Sequence, residues 1–304
     1  MNKKIYLIRS NTTKFGGAEN YLFRLSKALA SENIDHQVVN SFFPKFLPSW
    51  LRVILFNFQV CLMKGDKFYF SLDRITCPDL YRASDGVHKV FLDIEKKSKL
   101  NPLHPIYLFF EKRCFKNAKC IIANSLMVKK QIIDCYDINP NKVKVVFSGI
   151  ENKEIYYEQA YERLSEAYSL TTDQFIFLYV GSGFKRKGVK EFLQIISKLE
   201  KFNIKAFIIG KEKNIIHYQN LAKELNLDNK VVFTGPRNDV DDFYAISDIF
   251  ILPTHYDPFS NVVLEAMHFE NVVFTTKQNG ASEILEDNFI MNKPNDFSVV
   301  SGIN

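Results

Sequence analysis

Apolar runs of strand character alternate with amphipathic stretches along almost the whole of this 304-residue chain. In the first half the runs are KIYLIR (4–9), HQVVNSF (36–42), KFYFSL (67–72), KCIIANS (119–125) and KVKVVFSG (142–149). In the second they are FIFLYVGS (175–182), KAFIIG (205–210), VVFTG (231–235), IFILP (249–253) and VVFTT (272–276). GAENYLFRLSKALASE and VKEFLQIISKLEKF are examples of the stretches between them. Such alternation specifies parallel sheets, because a parallel pair needs a crossover long enough to hold a helix. Five runs in each half predict two doubly wound α/β domains rather than one large sheet. The expected division is residues 1–150, a polar linker at 151–170 (ENKEIYYEQAYERLSEAYSL) with a helix as the alternative for its conformation, and residues 171–304. The length is too great for one typical domain and comfortable for two. Two such domains facing each other leave a cleft between the carboxyl ends of their strands, and ligands bind in the loops there.

Composition narrows the class further. Hydrophobic residues make up 46% and charged residues 24%, which is globular rather than disordered. MNKKIYLIRS has four apolar residues before Arg9, too few for a secretory signal. Five cysteines, at 61, 77, 114, 120 and 135, are odd in number and include no CxxC pair. That excludes a disulfide framework or a zinc site and predicts a reducing cytoplasm. The longest apolar stretch, FLPSWLRVILFNFQVCLM, is interrupted by Arg52, Asn57 and Gln59, so a buried or interfacial helix is expected there, not a spanning one. Net charge is +6 but uneven: residues 89–130 hold ten Lys/Arg against three Asp/Glu. Phe, Tyr and Leu are interleaved with these cations (PIYLFFEKRCF), which suits the anionic inner surface of a membrane; the plain alternative is a solvated helix face. No nucleic-acid recognition module is present, and nucleic acid is not an expected partner.

The loops after the strands carry the chemistry. In IFILPTHYDPFSNVVLE (249–265), Pro258 fits the first position of a helix. The N–H groups of Phe259, Ser260 and Asn261 would then be helix-start donors at the end of a strand, suited to a phosphate. Asp257 and Glu265 lie eight positions apart across that helix start; the plain alternative is an N-cap aspartate and a solvated glutamate. In GSGFKRKG (181–188), Arg186 and Lys187 sit among glycines near a helix start, and two cations there suit a diphosphate. In KFGGAEN (14–20), Gly16 and Gly17 allow close backbone approach, but the loop is neither GxGxxG nor a P-loop. In ASDGVHK (83–89), Asp85 and His88 flank a glycine and could bind a sugar or move a proton. No Ser–His–Asp or Cys–His nucleophile can be assembled.

Together these loops resemble the retaining glycosyltransferases of family 4, which have the GT-B fold of two facing Rossmann-like domains. The matching pieces run in order over roughly residues 4–290: GGAE (16–19), ANS (123–125), KVKVVFSGIE (142–151), VGSGFKRKGVKEFL (180–193), FTGPRNDVDDFYAISDIFILPT (233–254), DPFSNVVLEAM (257–267) and NGASEIL (279–285). GSGFKRKGV and the ASDGVH loop are most similar to the branch that builds lipopolysaccharide or lipooligosaccharide cores.

The resemblance implies a role for each matching residue. Glu265 would accept hydrogen bonds from the ribose hydroxyls, and Asp257 would stand near the donor sugar and its reacting carbon. Backbone at Ser260 and Asn261 would meet the sugar or its phosphates. Arg186 and Lys187 would neutralise the diphosphate, and Gly16 and Gly17 would close over the donor. His88, with Asp85 on the same loop, would contact the donor sugar, and Gly235 to Arg237 would bind the base. Asp239–Val240–Asp241 has the D-x-D spacing that holds a metal in other sugar transferases, but it precedes FYAISDIF, where it would cap a helix. No metal and no cofactor are expected.

The implied activity is transfer of a hexose from a nucleotide diphosphate sugar, a UDP-hexose, to a lipid-anchored core oligosaccharide, by a cytoplasmic enzyme peripheral on the inner membrane. The alternatives are a nucleotide-sugar-binding remnant and a capsule or protein-glycan transferase. Three departures stand out. Asp257 is one methylene shorter than the family's glutamate, Ser148 replaces an asparagine, and relatives continue beyond VVSGIN, so the end is expected to be short.

Overall fold

Leu7 and Ile8 are neighbours in the first strand, both fully buried, and they enter different apolar clusters. Successive strand residues point to opposite faces, so both faces of this sheet are covered. The computed structural model describes residues 4–11, 17–96, 101–199 and 201–298, and the chain divides into two compact units, Met1–Phe147 and Ser148–Asn304.

The first unit contains β1 (Ile5–Ile8), α1 (Gly17–Ser31), β2 (His36–Val39), α2 (Ser49–Leu62), β3 (Phe68–Ser71), β4 (Leu80–Ala83), α3 (His88–Glu95), α4 (Leu103–Asn117), β5 (Cys120–Ala123), α5 (Leu126–Tyr136) and β6 (Val143–Val145). Its six strands pair in parallel in the order β2-β1-β3-β4-β5-β6. The second unit contains α6 (Tyr157–Tyr168), β7 (Phe175–Val180), α7 (Phe184–Lys187), α8 (Val189–Ser197), β8 (Ile204–Ile209), α9 (Ile215–Glu224), β9 (Val231–Gly235), α10 (Val240–Ile246), β10 (Ile249–Leu252), α11 (Asn261–His268), β11 (Val272–Thr276) and β12 (Ile290–Met291). Its order is β9-β8-β7-β10-β11-β12, again parallel. Strand order reverses between β1 and β3 in one sheet and between β7 and β10 in the other. Crossovers on either side of a reversal pack on opposite faces and leave a crevice at the strands' carboxyl ends.

The second unit has one continuous apolar core, to which α8 contributes Val189, Phe192, Leu193 and Ile196 at i, i+3, i+4 and i+7. Each side chain of this size contributes roughly 1.5–3 kcal/mol by leaving water. The stretch 151–170 is partly helical and lies within the second compact unit. Residues 157–168 fold as α6, bury Ala160 and Leu164 in this core, and carry Arg163 into a pair with Asp242 at 2.7 Å. Each sheet also has a sixth strand beyond the expected five. β12 is two residues long, and β4 reads LYRA with a charge inside it. That charge, Arg82, is 2% exposed, and its guanidinium carbon lies 4.1 Å from the centre of the Tyr21 ring, which shelters it. No helix among the described residues is long and apolar enough to cross a membrane.

Candidate functional site

β10 ends at Leu252, and Pro253 cannot extend its ladder. Asp257 instead forms an isolated parallel bridge with Asn279: its N–H donates to Gln278 O at 2.9 Å, and Gly280 N–H donates back to Asp257 O at 2.9 Å. Ser260 is extended (φ −81°, ψ 111°) and caps α11, so the helix starts at Asn261, three residues beyond Pro258. The expected row of three amide donors is therefore reduced. Phe259 N–H donates to Asp257 Oδ1 at 3.1 Å and Ser260 N–H to Asn279 Oδ1 at 3.1 Å. Asn261 takes the first helical position of α11, at the positive end of its dipole.

The loop after β7 reaches the same place. Arg186 Nη1 donates to Tyr256 O at 2.7 Å and lies 3.4 Å from Asp257 Oδ2. Its own carbonyl accepts His255 N–H at 2.8 Å. Lys187, buried, donates to Asp257 Oδ2 in a very short contact and to Ser260 Oγ at 2.9 Å. Burial works to raise the Asp257 carboxyl, but the Lys187 ammonium, with Arg186 and the Ser260 hydroxyl, holds it below the ordinary aspartate value. Lys187, Asp257 and Ser260, all buried, thus form one charged cluster with the half-buried Arg186 at the reversal between β7 and β10.

Two further residues brace the cluster. Asn279, with no exposure, accepts Ser260 N–H and Ala281 N–H through Oδ1 and donates Nδ2 to Thr275 Oγ1 at 3.0 Å. Glu212 accepts Phe184 N–H at 2.9 Å and occupies the start of α7. The Phe184 amide is accordingly engaged by the protein's own carboxylate, and what the 181–188 loop offers a ligand is its two cations.

Glu265 stands one turn beyond Asn261 on α11, and its Oε2 accepts the Tyr244 hydroxyl at 3.2 Å. Gly235 (φ +73°) ends β9, the edge strand two places from β7. Arg237 follows it, bound to Asp239, with its guanidinium 5.4 Å from the Phe243 ring centre. Asp241 pairs with Lys153 at 2.6 Å, so each aspartate of the D-x-D run has a cationic partner.

The remaining expected residues belong to the first unit. Gly17 opens α1, and Gly16 lies outside the described residues. Asp85 lines a cavity of about 300 Å³ at the carboxyl ends of β1 and β3, together with Arg9, Arg52, Asp73, Arg74 and Tyr107. His88 opens α3, and its N–H donates at 2.7 Å to Glu111. Glu111, fully buried, also holds Arg74 Nε at 2.9 Å and the Tyr136 hydroxyl at 2.6 Å. The His88 ring meets His104 Nδ1 at 3.2 Å.

Burial, and then Arg74, push the His88 imidazole down to about 4, with Glu111 opposing, so it is neutral at neutral pH. A histidine depressed when folded contributes stability that is present above the unfolded value, 6.5, and lost as pH falls through the folded one. His88, half-buried and therefore partly screened, is expected to cost on the order of 1 kcal/mol of stability as pH drops across that window. Urea titrations should show the wild type losing stability relative to His88→Gln across this range; parallel pH profiles for the two would overturn the assignment.

Two parallel α/β units with a buried cation–carboxylate cluster at the switch point of the second describe a GT-B protein. Residues 160–302 match the family described as Glycosyl transferases group 1, and residues 86–154 match Glycosyltransferase Family 4. By these matches the second unit is similar to the group 1 glycosyltransferases over most of its length, and the first unit is similar to Glycosyltransferase Family 4 from residue 86 onward. Over 245 residues the chain is 28% identical to the lipopolysaccharide glucosyltransferase WaaG of Escherichia coli strain K12, covering 78% of this chain and 61% of WaaG. Over 210 residues it is 33% identical to the capsular polysaccharide biosynthesis glycosyltransferase CapM of Staphylococcus aureus, covering 64% of this chain and 53% of CapM. The matched stretch therefore spans less than two thirds of either relative's length. The crystal structure of WaaG superimposes with a TM-score of 0.80 at 21% identity, over 98% of this chain and 89% of that one. Anabaena HepE in complex with UDP-glucose superimposes with a TM-score of 0.72 at 18% identity, over 99% and 88%. These structural likenesses show the GT-B fold.

Proposed function

We propose that the protein is a retaining, metal-independent hexosyltransferase. It draws on a nucleotide diphosphate sugar, a UDP-hexose, and delivers the hexose to a lipid-anchored lipopolysaccharide or lipooligosaccharide core at the inner membrane surface. The observation that carries this reading is the meeting of Lys187 and Arg186 with Asp257 and Ser260 at the switch point of the second sheet. As the bond from the anomeric carbon to the diphosphate breaks, negative charge grows on the leaving oxygen. Two cations, Lys187 buried and Arg186 beside it, stabilise that charge without a metal. The departing phosphate takes the acceptor's proton, so no side chain needs to act as general base. Asp257 holds Lys187 in position, Glu265 takes the ribose hydroxyls, and His88 and Asp85 contact sugar. HepE, solved with UDP-glucose, supports the donor class, and WaaG supports the acceptor class. The cationic partners of Asp239 and Asp241 support metal independence.

The test is a panel of nucleotide sugars with a detergent-extracted lipid fraction, read by mass in the presence of a chelator. The expected result is a gain of one hexose with one UDP-sugar. UDP binding without transfer to any acceptor would favour the remnant reading, and absence of UDP binding would sink both. The likeness to CapM favours a second reading, a capsule precursor as acceptor, which the same screen separates by product.

A further inference from the structure

The scattered spacing that rules out a disulfide framework does not rule out a single pair. Cys61 and Cys77 stand 16 positions apart, and the fold sets their sulfurs 2.7 Å from each other. Cys61 is the last residue but one of α2, and Cys77 lies in the connection from β3 to β4. Neighbouring contacts hold these two segments together. Asn57 Oδ1 on α2 accepts the Thr76 N–H at 2.7 Å and the Thr76 hydroxyl at 3.0 Å. Residues four apart lie on one side of a helix, so Asn57 and Cys61 face the connection together. Asn117 of α4 donates Nδ2 to Thr76 O at 2.7 Å. Ile75, 1% exposed, shares an apolar cluster with Phe56 and Val60 of α2, and Cys77 packs against that cluster.

Both cysteines are half-buried, within reach of a small reagent, whereas Cys114 is fully buried. The hydrogen bond from Cys77 holds the Cys61 thiol below its ordinary value against burial, with help from Thr76 Oγ1 at 3.2 Å and from the Lys64 ammonium. The same contact, and then burial, raises Cys77. Cys61 is therefore the thiolate of the pair, and the thiolate is the nucleophile.

We propose that Cys61 and Cys77 form a thiol–disulfide exchange site whose co-reactant is a low-molecular-weight disulfide of the glutathione class. The Cys61 thiolate attacks one sulfur of that disulfide, whose S–S bond breaks, and the first small thiolate leaves with the electron pair. Cys77 gives its proton to solvent and attacks Cys61 Sγ; the mixed disulfide breaks, and the second small thiolate leaves. Two protein thiols are oxidised to one disulfide and one small disulfide is reduced to two thiols. The two protons released by the cysteines go to the two leaving thiolates. Excess small thiol drives the exchange backward, which makes the bond reversible in a reducing compartment. The bond ties α2 to the β3–β4 connection. Arg52, Val53 and Phe56 of the one and Asp73, Arg74 and Ile75 of the other line the 300 Å³ cavity, so closure fixes two of its walls. No residue of the donor cluster takes part, and exchange is measured without any sugar, so it stands or fails apart from hexose transfer.

The test is incubation with oxidised glutathione at neutral pH, alkylation of the remaining thiols, and intact mass with peptide mapping. Wild type is expected to lose two alkylatable thiols, retain no glutathione and yield one cross-linked peptide pair joining Cys61 to Cys77, all reversed by dithiothreitol. Cys77→Ser should accumulate glutathione on Cys61, because nothing resolves the mixed disulfide. Cys61→Ser should form no cross-link and take up glutathione at Cys77 roughly tenfold more slowly or less. Oxidised wild type should unfold about 5 °C or more above the reduced protein, a difference that both variants lose. Overturning results are a wild type with all five thiols still alkylatable, a lasting glutathione adduct on Cys61, or a cross-link through Cys120 or Cys135. A Cys61–Cys77 bond that forms without raising the midpoint overturns the tie between the two segments. The wild type alone decides these outcomes, even where a serine variant fails to fold.

Discussion

Lys187→Met is expected to lower turnover by roughly two to three orders of magnitude, the cost of removing one preorganised group aimed at developing charge. Lys187 donates to both Asp257 and Ser260 from a buried position, so its ammonium is fixed before any donor arrives. Methionine keeps the length and loses the charge. The same change leaves Asp257, 7% exposed, with Arg186 at 3.4 Å, the Phe259 amide and the Ser260 hydroxyl as its partners. Breaking a buried pair from one side costs about 3 kcal/mol. A second substitution separates the two losses. In Lys187→Met/Asp257→Asn the orphaned charge is gone, so most of the stability should return while turnover stays low. Denaturant unfolding and single-turnover transfer measure the two quantities independently. A double variant that regained turnover along with stability would show that Lys187 only holds the loop.

The parts of this cluster that the sequence revealed are local ones. Arg186 and Lys187 sit among glycines directly after a strand, and Asp257 and Ser260 flank a proline at the next strand's end. Runs such as VVFTG and VVFTT coincide with β9 and β11 residue for residue, because a short β-branched and aromatic run closed by a polar or glycine residue is itself a strand signal. What escaped is what sheet order brings together. Asn279 reaches Ser260 across 19 residues, Glu212 reaches Phe184 across 28, and Arg9 reaches Asp73 across 64. The cavity holding Arg9, Arg52, Asp73 and Arg74 exists because β1 and β3 are neighbours, which no local pattern encodes. β4 escaped because Arg82 breaks its apolar pattern and is sheltered by Tyr21, a residue of another element. The amides at Phe259 and Ser260 misled for a related reason. A helix start advertises donors, but it does not tell whether the protein's own Asp257 and Asn279 have taken them.

Gly188→Ala is expected to destabilise the second unit by about 3–5 kcal/mol, whereas Gly183→Ala, five residues earlier in the same loop, should cost about 1–2 kcal/mol. Both glycines are in the left-handed region, at φ +82° and +75°, so both variants lose the conformational freedom of glycine. Their surroundings differ. A Cβ on Gly183 meets nothing within 4 Å, while one on Gly188 would lie 1.9 Å from the Pro253 carbonyl oxygen. That oxygen is backbone at the end of β10 and cannot rotate away, so the segment Arg186–Gly188 has to lift. Lifting it pulls Lys187 from Asp257 and Ser260 and pulls the Arg186 carbonyl from the His255 amide, which undoes the contact between the two loops that build the cluster. A displacement of about 1 Å is enough to cost on the order of a hundredfold in a positioned site. Gly188→Ala should therefore lose UDP affinity at temperatures where it is still folded, and Gly183→Ala should keep most of it. Guanidinium midpoints and calorimetric UDP titrations on the pair decide the matter: equal losses in both variants would mean that the close approach of Gly188 to Pro253 does not set the geometry of the site.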